Sequence, residues 1–169
     1  RRGTYPPLQP SPINLKFDMK HFSEITASAE RVVDAAEALV QRFGYNGFSY
    51  DDIAQKIGIK KPSIHHHFAT KSQLVAVVAQ RYTHRFLEQL DKIEKSHSNA
   101  NQRLDAYVML FEQTYAQDRL LCVCGMLGTE ANDLPQEVAD EVQEFFVRNL
   151  AWLVHVITAG HRGKPPIHR

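Results

Sequence analysis

Hydrophobic residues recur along most of the chain at spacings of three and four, the period of an amphipathic α-helix. The first such run begins at Ser28 and carries one apolar stripe, formed by Val32, Val33, Ala36, Leu39, Val40 and Phe43. Gly44 follows directly, as is typical of the residue after a helix C-terminus. The sequence has no strand-like alternation longer than a few residues, so the pattern predicts an all-α protein.

Residues 49–68 predict two short helices joined by a tight turn. Ser49 with Asp52 resembles a capping box at the start of the first, and Gly58 ends it. After "GIK", Pro62 stands where proline suits the first turn of a new helix. A helix, a short turn and a second helix match the helix-turn-helix motif.

The second short helix contains the run "IHHHF". Its predicted inward residues are Ile64, His67 and Phe68, and its predicted outward residues are Lys61, His65 and His66. Lysines at a helix N-terminus favour contact with phosphates or base edges. The candidate DNA contacts are Ser49, Lys60, Lys61, Ser63, His65, His66 and Lys71. On periodicity alone, a small three-helix core with a polar outer face remains an alternative.

The second half of the chain is also predicted to be helical. A long helix runs from Lys71 to about Lys95, and the polar segment "SHSNAN" separates it from an amphipathic stripe. That stripe comprises Leu104, Tyr107, Val108, Phe111 and Tyr115. "LLCVCGMLGTEAND" predicts a bent or broken helix. The last helix runs from Pro135 to about Ala159 and ends apolar nearly all round, so we expect one side to pack on another subunit.

Three consecutive histidines do not form a metal site on a helix. Neighbouring helical residues point about 100° apart, and a helix-borne zinc pair needs a spacing of four. We therefore expect no metal and no cofactor. The sequence also has no nucleophile elbow, no phosphate-binding glycine loop and no H-E-x-x-H, so we do not expect an enzyme.

Composition adds a weak indication that the two halves of the chain differ in charge. Of 169 residues, 43% are hydrophobic and 23% charged, as in ordinary globular proteins, and the net charge is +1. Residues 1–95 hold 14 Lys and Arg against 10 Asp and Glu, whereas residues 96–160 hold 3 against 9. A basic first half is compatible with nucleic acid. Two cysteines and no long apolar run predict a cytoplasmic protein without a membrane span.

Residues 28–74 resemble the DNA-binding domain of the TetR family of bacterial transcriptional regulators. The matching positions are Arg31, Ala35, Ala36, Phe43, Gly44, Tyr45, Ser49, Asp52, Ile53, Ala54, Gly58, Ser63, His67, Phe68, Lys71 and Leu74. The resemblance implies a helical homodimer, a double-stranded DNA operator and a small-molecule inducer bound in the C-terminal half. The function expected is that of a repressor released by its inducer.

The chain departs from the family pattern at three places. His65 stands where the family usually has a tyrosine that contacts a phosphate, and Lys60 replaces a serine or threonine. Both changes add positive potential. The usual final helix has no clear counterpart after Gly160, which suggests a truncated chain or a smaller dimer interface.

These observations divide the chain into four parts. We expect a disordered, proline-containing arm at 1–24, with a DNA-touching basic arm as the alternative, and a helix-turn-helix DNA-binding domain at 25–75. A helical regulatory and dimerisation domain follows at 76–160, then a tail at 161–169. The candidate ligand-binding residues are aromatic, sulfur-bearing or imidazole side chains, namely Tyr107, Phe111, Tyr115, Cys122, Met126, Phe145, Trp152 and His155.

Two alternative functions remain open at this stage. One is a thiol- or electrophile-sensing repressor acting through Cys122 or Cys124, which lie on different faces of a helix. Buried cysteines are usually inert, which counts against it. The other is a helical interaction module without DNA binding.

Overall fold

A computed structural model of the protein describes residues 21–162, apart from the side chains of Asp118, His161 and Arg162. Most of the predicted arm and the tail from residue 163 lie outside these residues. Residues Phe22–Glu24, which the sequence assigned to the arm, form a short 3-10 helix, and the backbone N–H of Phe22 donates to Oε1 of Gln80 at 3.1 Å.

Within residues 21–162 the chain forms seven α-helices and no strand. They are α1 (Ala27–Phe43), α2 (Tyr50–Ile57), α3 (Lys61–His67), α4 (Lys71–Ser96), α5 (Ala100–Asp118), α6 (Val123–Gly128) and α7 (Gln136–Arg162). This confirms the all-α prediction. None of the described helices is long and apolar enough to cross a membrane.

The caps explain why the first helices begin and end where they do. The hydroxyl of Thr26 accepts a hydrogen bond from the N–H of Ala29 at 3.3 Å, and Gly44 ends α1 at φ 72°. At the start of α2, Oδ2 of Asp52 accepts from the N–H of Ser49 at 2.7 Å. Side chains that satisfy free backbone groups stabilise helix ends by about 1 kcal/mol each.

Helix α4 connects the two halves of the molecule. It packs against α1 on one hand and against α5, α6 and α7 on the other. The guanidinium of Arg81 bridges α4 to α1, because it lies 2.7 Å from Oδ1 of Asp34 and 2.6 Å from Oε2 of Glu37. The predicted regulatory domain therefore meets the predicted DNA-binding domain through a nearly buried ion pair as well as through apolar contacts.

Three side chains assigned to inward stripes face outward instead. Phe43, Val108 and Tyr115 are 52%, 52% and 54% exposed. Phe43 ends α1, and Val108 and Tyr115 lie at the edges of the α5 stripe. A spacing of three or four places residues on the same side of a helix, but it does not define how wide the covered strip is.

Candidate nucleic-acid interface

The turn between α2 and α3 depends on a glycine in the left-handed region. Gly58 has φ 69° and ψ 35°, and its N–H donates to the carbonyl oxygen of Ala54 at 3.0 Å. The next helix starts two residues after Ile59, with Pro62 in its first turn. The local sequence therefore sets the angle between α2 and α3, as the motif requires.

The inner side of α3 fixes it to its neighbours. Ile64 is completely buried and Phe68 is 3% exposed. The hydroxyl of Tyr50, at the start of α2, donates to the carbonyl oxygen of Phe68 at 3.0 Å. Nε2 of His67 lies 3.1 Å from the hydroxyl oxygen of Ser28 on α1. The predicted inward set is therefore confirmed, and the outer side of α3 is presented on a rigid support.

Six of the seven predicted DNA contacts are grouped here under the name α3 surface. Its members are Ser49, Lys60, Lys61, Ser63, His65 and His66, all of them exposed. The amine of Lys61 lies 2.8 Å from Oδ2 of Asp51, so part of its charge is compensated within the protein. Lys60 has no such partner among residues 21–162, which leaves its full charge facing solvent.

Lys71 lies elsewhere. Its amine donates to the carbonyl oxygen of Phe48 and sits 4.3 Å from the centre of the Phe48 ring and 4.7 Å from that of Tyr45. Partial burial lowers the pKa of Lys71, partly offset by the charges of Glu130 and Asp52. In this arrangement the amine closes the loop between α1 and α2, and its predicted contact with phosphate remains a prediction.

One important residue near this interface was not predicted from the sequence. The carboxylate of Glu130, just after α6, accepts from the N–H of Tyr45 at 2.5 Å and from the N–H of Asn46 at 3.3 Å. A carboxylate that accepts from consecutive backbone N–H groups holds a loop firmly. Glu130 thereby ties the regulatory half to the loop that precedes α2, which no local sequence signal indicates.

The predicted ligand-binding residues are not brought together in one place. Tyr107, Phe111, Phe145 and Trp152 belong to a packed aromatic cluster around Phe86, with ring centres 5.1–6.1 Å apart. Tyr115 is exposed, His155 pairs with Glu94 at 3.2 Å on the surface, and Met126 borders an open cleft. The aromatic cluster is part of the packed core in this structure, and ligand binding by the eight predicted residues remains a prediction.

The two thiols are held within the protein. Cys122 is partly buried and Cys124 is completely buried, and burial raises the pKa of both. Sγ of Cys122 accepts from the N–H of Gly125 at 3.1 Å and so caps α6. A raised pKa keeps a thiol protonated and poorly nucleophilic, so the structure does not favour thiol sensing. Among residues 21–162, no group of acidic, histidine or cysteine side chains is arranged to hold a metal ion.

Comparison with known proteins agrees with this geometry. Residues 32–78 match the family described as bacterial regulatory proteins, tetR family. A TetR-family transcriptional regulator from Agrobacterium tumefaciens is 36% identical, with a TM-score of 0.78 over 80% of this chain and 72% of that one. A TetR regulator from Legionella pneumophila is 32% identical, with a TM-score of 0.74 over 80% of this chain and 74% of that one.

Curated relatives are similar over shorter shares of their length. The transcriptional activator FasR of Mycolicibacterium smegmatis is 31% identical over 115 residues, which are 59% of this chain and 52% of FasR. The negative regulator IcaR of Staphylococcus aureus is 26% identical over 69% of this chain and 68% of IcaR. The chain thus spans about half of FasR. The family match over residues 32–78 and the similarity to the Agrobacterium and Legionella regulators agree with the helix-turn-helix geometry, and the chain belongs to the TetR family of bacterial transcriptional regulators.

Proposed function

We propose that this protein is a dimeric, DNA-binding repressor that a small molecule releases from its operator. The observation that carries the proposal is the α3 surface, where Lys60, Ser63, His65 and His66 are exposed on a helix fixed from behind by Ile64 and Phe68. Exposed donors on a rigid short helix suit insertion into the major groove. IcaR is a negative regulator, which favours repression, whereas FasR is an activator.

The proposed dimer forms through α7. One side of this helix leaves five apolar side chains 44–57% exposed, namely Phe146, Val147, Leu150, Val154 and Ile157. Val147, Leu150, Val154 and Ile157 follow one another at steps of three and four, and Phe146 lies four residues before Leu150. The five side chains therefore form one strip, as on a helix that packs against another. A second copy seated on this strip would give two α3 surfaces, which could read half-sites about one helical turn (~34 Å) apart.

The small molecule is proposed to enter the regulatory half at the aromatic cluster. The indole N–H of Trp152 is buried and has no hydrogen-bond partner among the described residues. Buried polar groups are nearly always paired, so this N–H is available to a ligand with an acceptor. Trp152 is the one tryptophan of the sequence, so its fluorescence reports directly on binding at this place. We assign this function to the cytoplasm, where the operator would lie.

The test is selection of operator sequences from random duplex DNA, followed by fluorescence anisotropy at several salt concentrations. We expect a near-palindromic sequence and an affinity that falls steeply with salt. Lys60→Ala should weaken binding and reduce the salt slope by about one. Lys92→Ala, an exposed lysine of α4 far along the chain from the α3 surface, is the matched control.

Two results would contradict the proposal. Selection that yields no preferred sequence at moderate salt would leave only non-specific binding. An unchanged effect on the regulated genes in cells after alanine replacement of Lys60, Lys61 and Lys71 together would instead support an interaction module without DNA binding.

A further inference from the structure

An open cleft of about 380 Å³ lies where the end of α1 meets the segment that joins α5 to α6. It is lined by Gln41, Arg42, Arg119, Leu120, Leu121 and Met126. The side-chain N–H of Gln41 donates to the carbonyl oxygen of Leu121 at 3.2 Å, so the two sides of the cleft already touch. The cleft therefore joins the DNA-binding domain to the regulatory half.

Among the side chains that the structure describes, which do not include that of Asp118, no carboxylate pairs with Arg42 or Arg119. The guanidinium groups of Arg81, Arg85 and Arg148, by contrast, each lie within 3.1 Å of a carboxylate oxygen. Guanidinium groups bind carboxylates in a planar, two-pronged geometry. Two such guanidinium groups bordering one cleft favour an anion.

The backbone of Arg119 is also unusual. It adopts φ 55° and ψ 32°, the only positive φ at a non-glycine among the described residues. Only glycine, asparagine and aspartate visit this region readily, so an arginine here costs conformational energy. Glycine would close α5 without that cost, because the N–H of residue 119 still donates to the carbonyl oxygen of Tyr115. A guanidinium kept at a strained position indicates a use for the side chain.

The remaining lining is apolar. Leu120, Leu121 and Met126 provide hydrocarbon and thioether surface, and Leu121 is 51% exposed. Binding sites commonly combine such a floor with a few charged groups that orient the ligand. We propose that this cleft binds an anionic amphiphile, with one carboxylate held by Arg42 and Arg119 and a short hydrocarbon body on Leu121 and Met126.

Binding here has a consequence for regulation, which rests on the proposed function. A carboxylate that bridges Arg42 of α1 and Arg119 after α5 links the DNA-binding domain to the regulatory half. If the two halves move relative to each other when DNA is released, the ligand and the operator must influence each other's affinity reciprocally.

The binding test is isothermal titration calorimetry of the full chain, without DNA, with three probes. Octanoate has both a carboxylate and a hydrocarbon chain, acetate has the carboxylate without the long chain, and octan-1-ol has the chain without the charge. We expect octanoate to bind at least about tenfold more tightly than either of the others. Arg42→Gln and Arg119→Gly should each weaken octanoate binding at least about tenfold.

Arg119→Gly separates binding from folding. It removes the guanidinium and relieves the positive φ, so its Tm should equal or exceed that of the wild type while octanoate binding is lost. Arg148→Gln, on α7 outside the cleft, should bind octanoate as the wild type does. Wild-type-like binding by Arg42→Gln and Arg119→Gly, or no octanoate binding at millimolar concentration, would overturn the proposal.

A second arm distinguishes this site from the proposed function. Anisotropy of a labelled duplex is measured with and without octanoate for the wild type and Arg119→Gly. A change in DNA affinity in the wild type alone supports a regulatory role. An unchanged DNA affinity with octanoate bound would overturn that role and leave the binding site in place. Absence of DNA binding in both proteins would contradict the proposed function only.

Discussion

His65 uses one of its ring nitrogens inside the protein. Nδ1 lies 3.2 Å from the carbonyl oxygen of Ala69, and the ring packs edge-on to that of Tyr50 with centres 4.7 Å apart. A carbonyl oxygen only accepts, so Nδ1 carries a proton. In the neutral ring Nε2 then offers a lone pair, which repels a phosphate oxygen, whereas the protonated ring donates from Nε2.

This arrangement predicts that a hydrogen-bond donor at position 65 strengthens DNA binding. His65→Tyr supplies a hydroxyl donor that does not depend on the charge of the ring, so this variant should bind DNA at least as tightly as the wild type. His65→Ala supplies no donor and should bind more weakly than His65→Tyr. Anisotropy titrations measure the difference, and equal affinities of the two variants would exclude a phosphate contact at this position.

Lys71 and Lys60 predict opposite results for the same substitution. Lys71→Ala removes the hydrogen bond to Phe48 and the contact with two aromatic rings, which should destabilise the protein by about 1–3 kcal/mol. If the amine stays in this position on DNA, the salt slope should not change, whereas Lys60→Ala reduces it by about one. Chemical denaturation and anisotropy distinguish the two. A reduced salt slope for Lys71→Ala would instead establish the predicted phosphate contact.

At the scale of helices, the sequence predicted the first four closely. Their ends carry recognisable chemistry, such as Ser49 with Asp52 at the N-terminus of α2 and Gly44 and Gly58 at C-termini. These signals are local, so one sequence suffices to read them. The role of Glu130 could not be read in this way, because its partners Tyr45 and Asn46 lie about eighty positions away along the chain.

The contact of Glu130 predicts a local change in hydrogen exchange. Glu130→Ala removes the acceptor of the Tyr45 and Asn46 amides, so these amides should exchange about tenfold faster, equivalent to ~1.4 kcal/mol. Amides in the middle of α4 should keep their protection. Glu112→Ala, which removes an exposed carboxylate from α5, is the control. Unchanged exchange at residues 45 and 46 would mean that their amides do not donate to Glu130 in solution.

The contact between α4 and α7 contains a carboxyl group with a shifted pKa. Partial burial raises the pKa of Glu141 to about 7, with further contributions from Glu144 and Asp140, and the hydrogen bond from Gln80 opposes the shift. Between its ordinary pKa and about 7, the folded protein holds a proton that the unfolded chain has lost. Stability therefore decreases as the pH rises through this window and stays lower above it.

Glu141→Gln should remove this dependence. The amide carries no charge, so the variant should be more stable than the wild type at about pH 8, by about 1 kcal/mol after allowance for solvent screening, and little different at about pH 5. Thermal melts at the two pH values measure the effect. Glu112→Gln, which replaces an exposed carboxylate of α5, is the control. A destabilised Glu141→Gln at about pH 8 would contradict the pKa shift of Glu141.

At the scale of the whole molecule, the exposed strip of α7 predicts the oligomeric state. Leu150 lies in the middle of the strip and is 57% exposed in the single chain. Leu150→Glu would bury a charge in the proposed dimer, which costs several kcal/mol. Light scattering after gel filtration should give a dimer mass for the wild type and a monomer mass for the variant.

Arg148 offers the matched control for that experiment. It is exposed on α7 and points about 160° away from Leu150, so Arg148→Glu should remain a dimer. A monomeric wild type at micromolar concentration would contradict the proposed dimer. Equal masses for both variants would show that another surface holds it.

The arrangement of the regulatory half was harder to predict from the sequence than the DNA-binding half. Tyr107, Phe145 and Trp152 have the spacing of residues that face a helix interior, and an interior can be a packed core or a cavity. Hydrophobic periodicity does not distinguish the two. An apolar surface on all sides requires more than one neighbour, and the packing of the end of α7 on a second subunit remains a prediction.

Gly44 gives this architecture a genetic consequence. Its φ of 72° and ψ of −169° fall in a region that is essentially limited to glycine, and a Cβ there would lie 2.8 Å from Oε2 of Glu130. Gly58 also has a positive φ, but the space beside it is open. A methyl group at position 44 would therefore push against the carboxylate of Glu130 and disturb the contact between the two halves. Screens for alleles that lose the proposed repression should recover Gly44 substitutions beside those in α3, although residue 44 is outside the α3 surface.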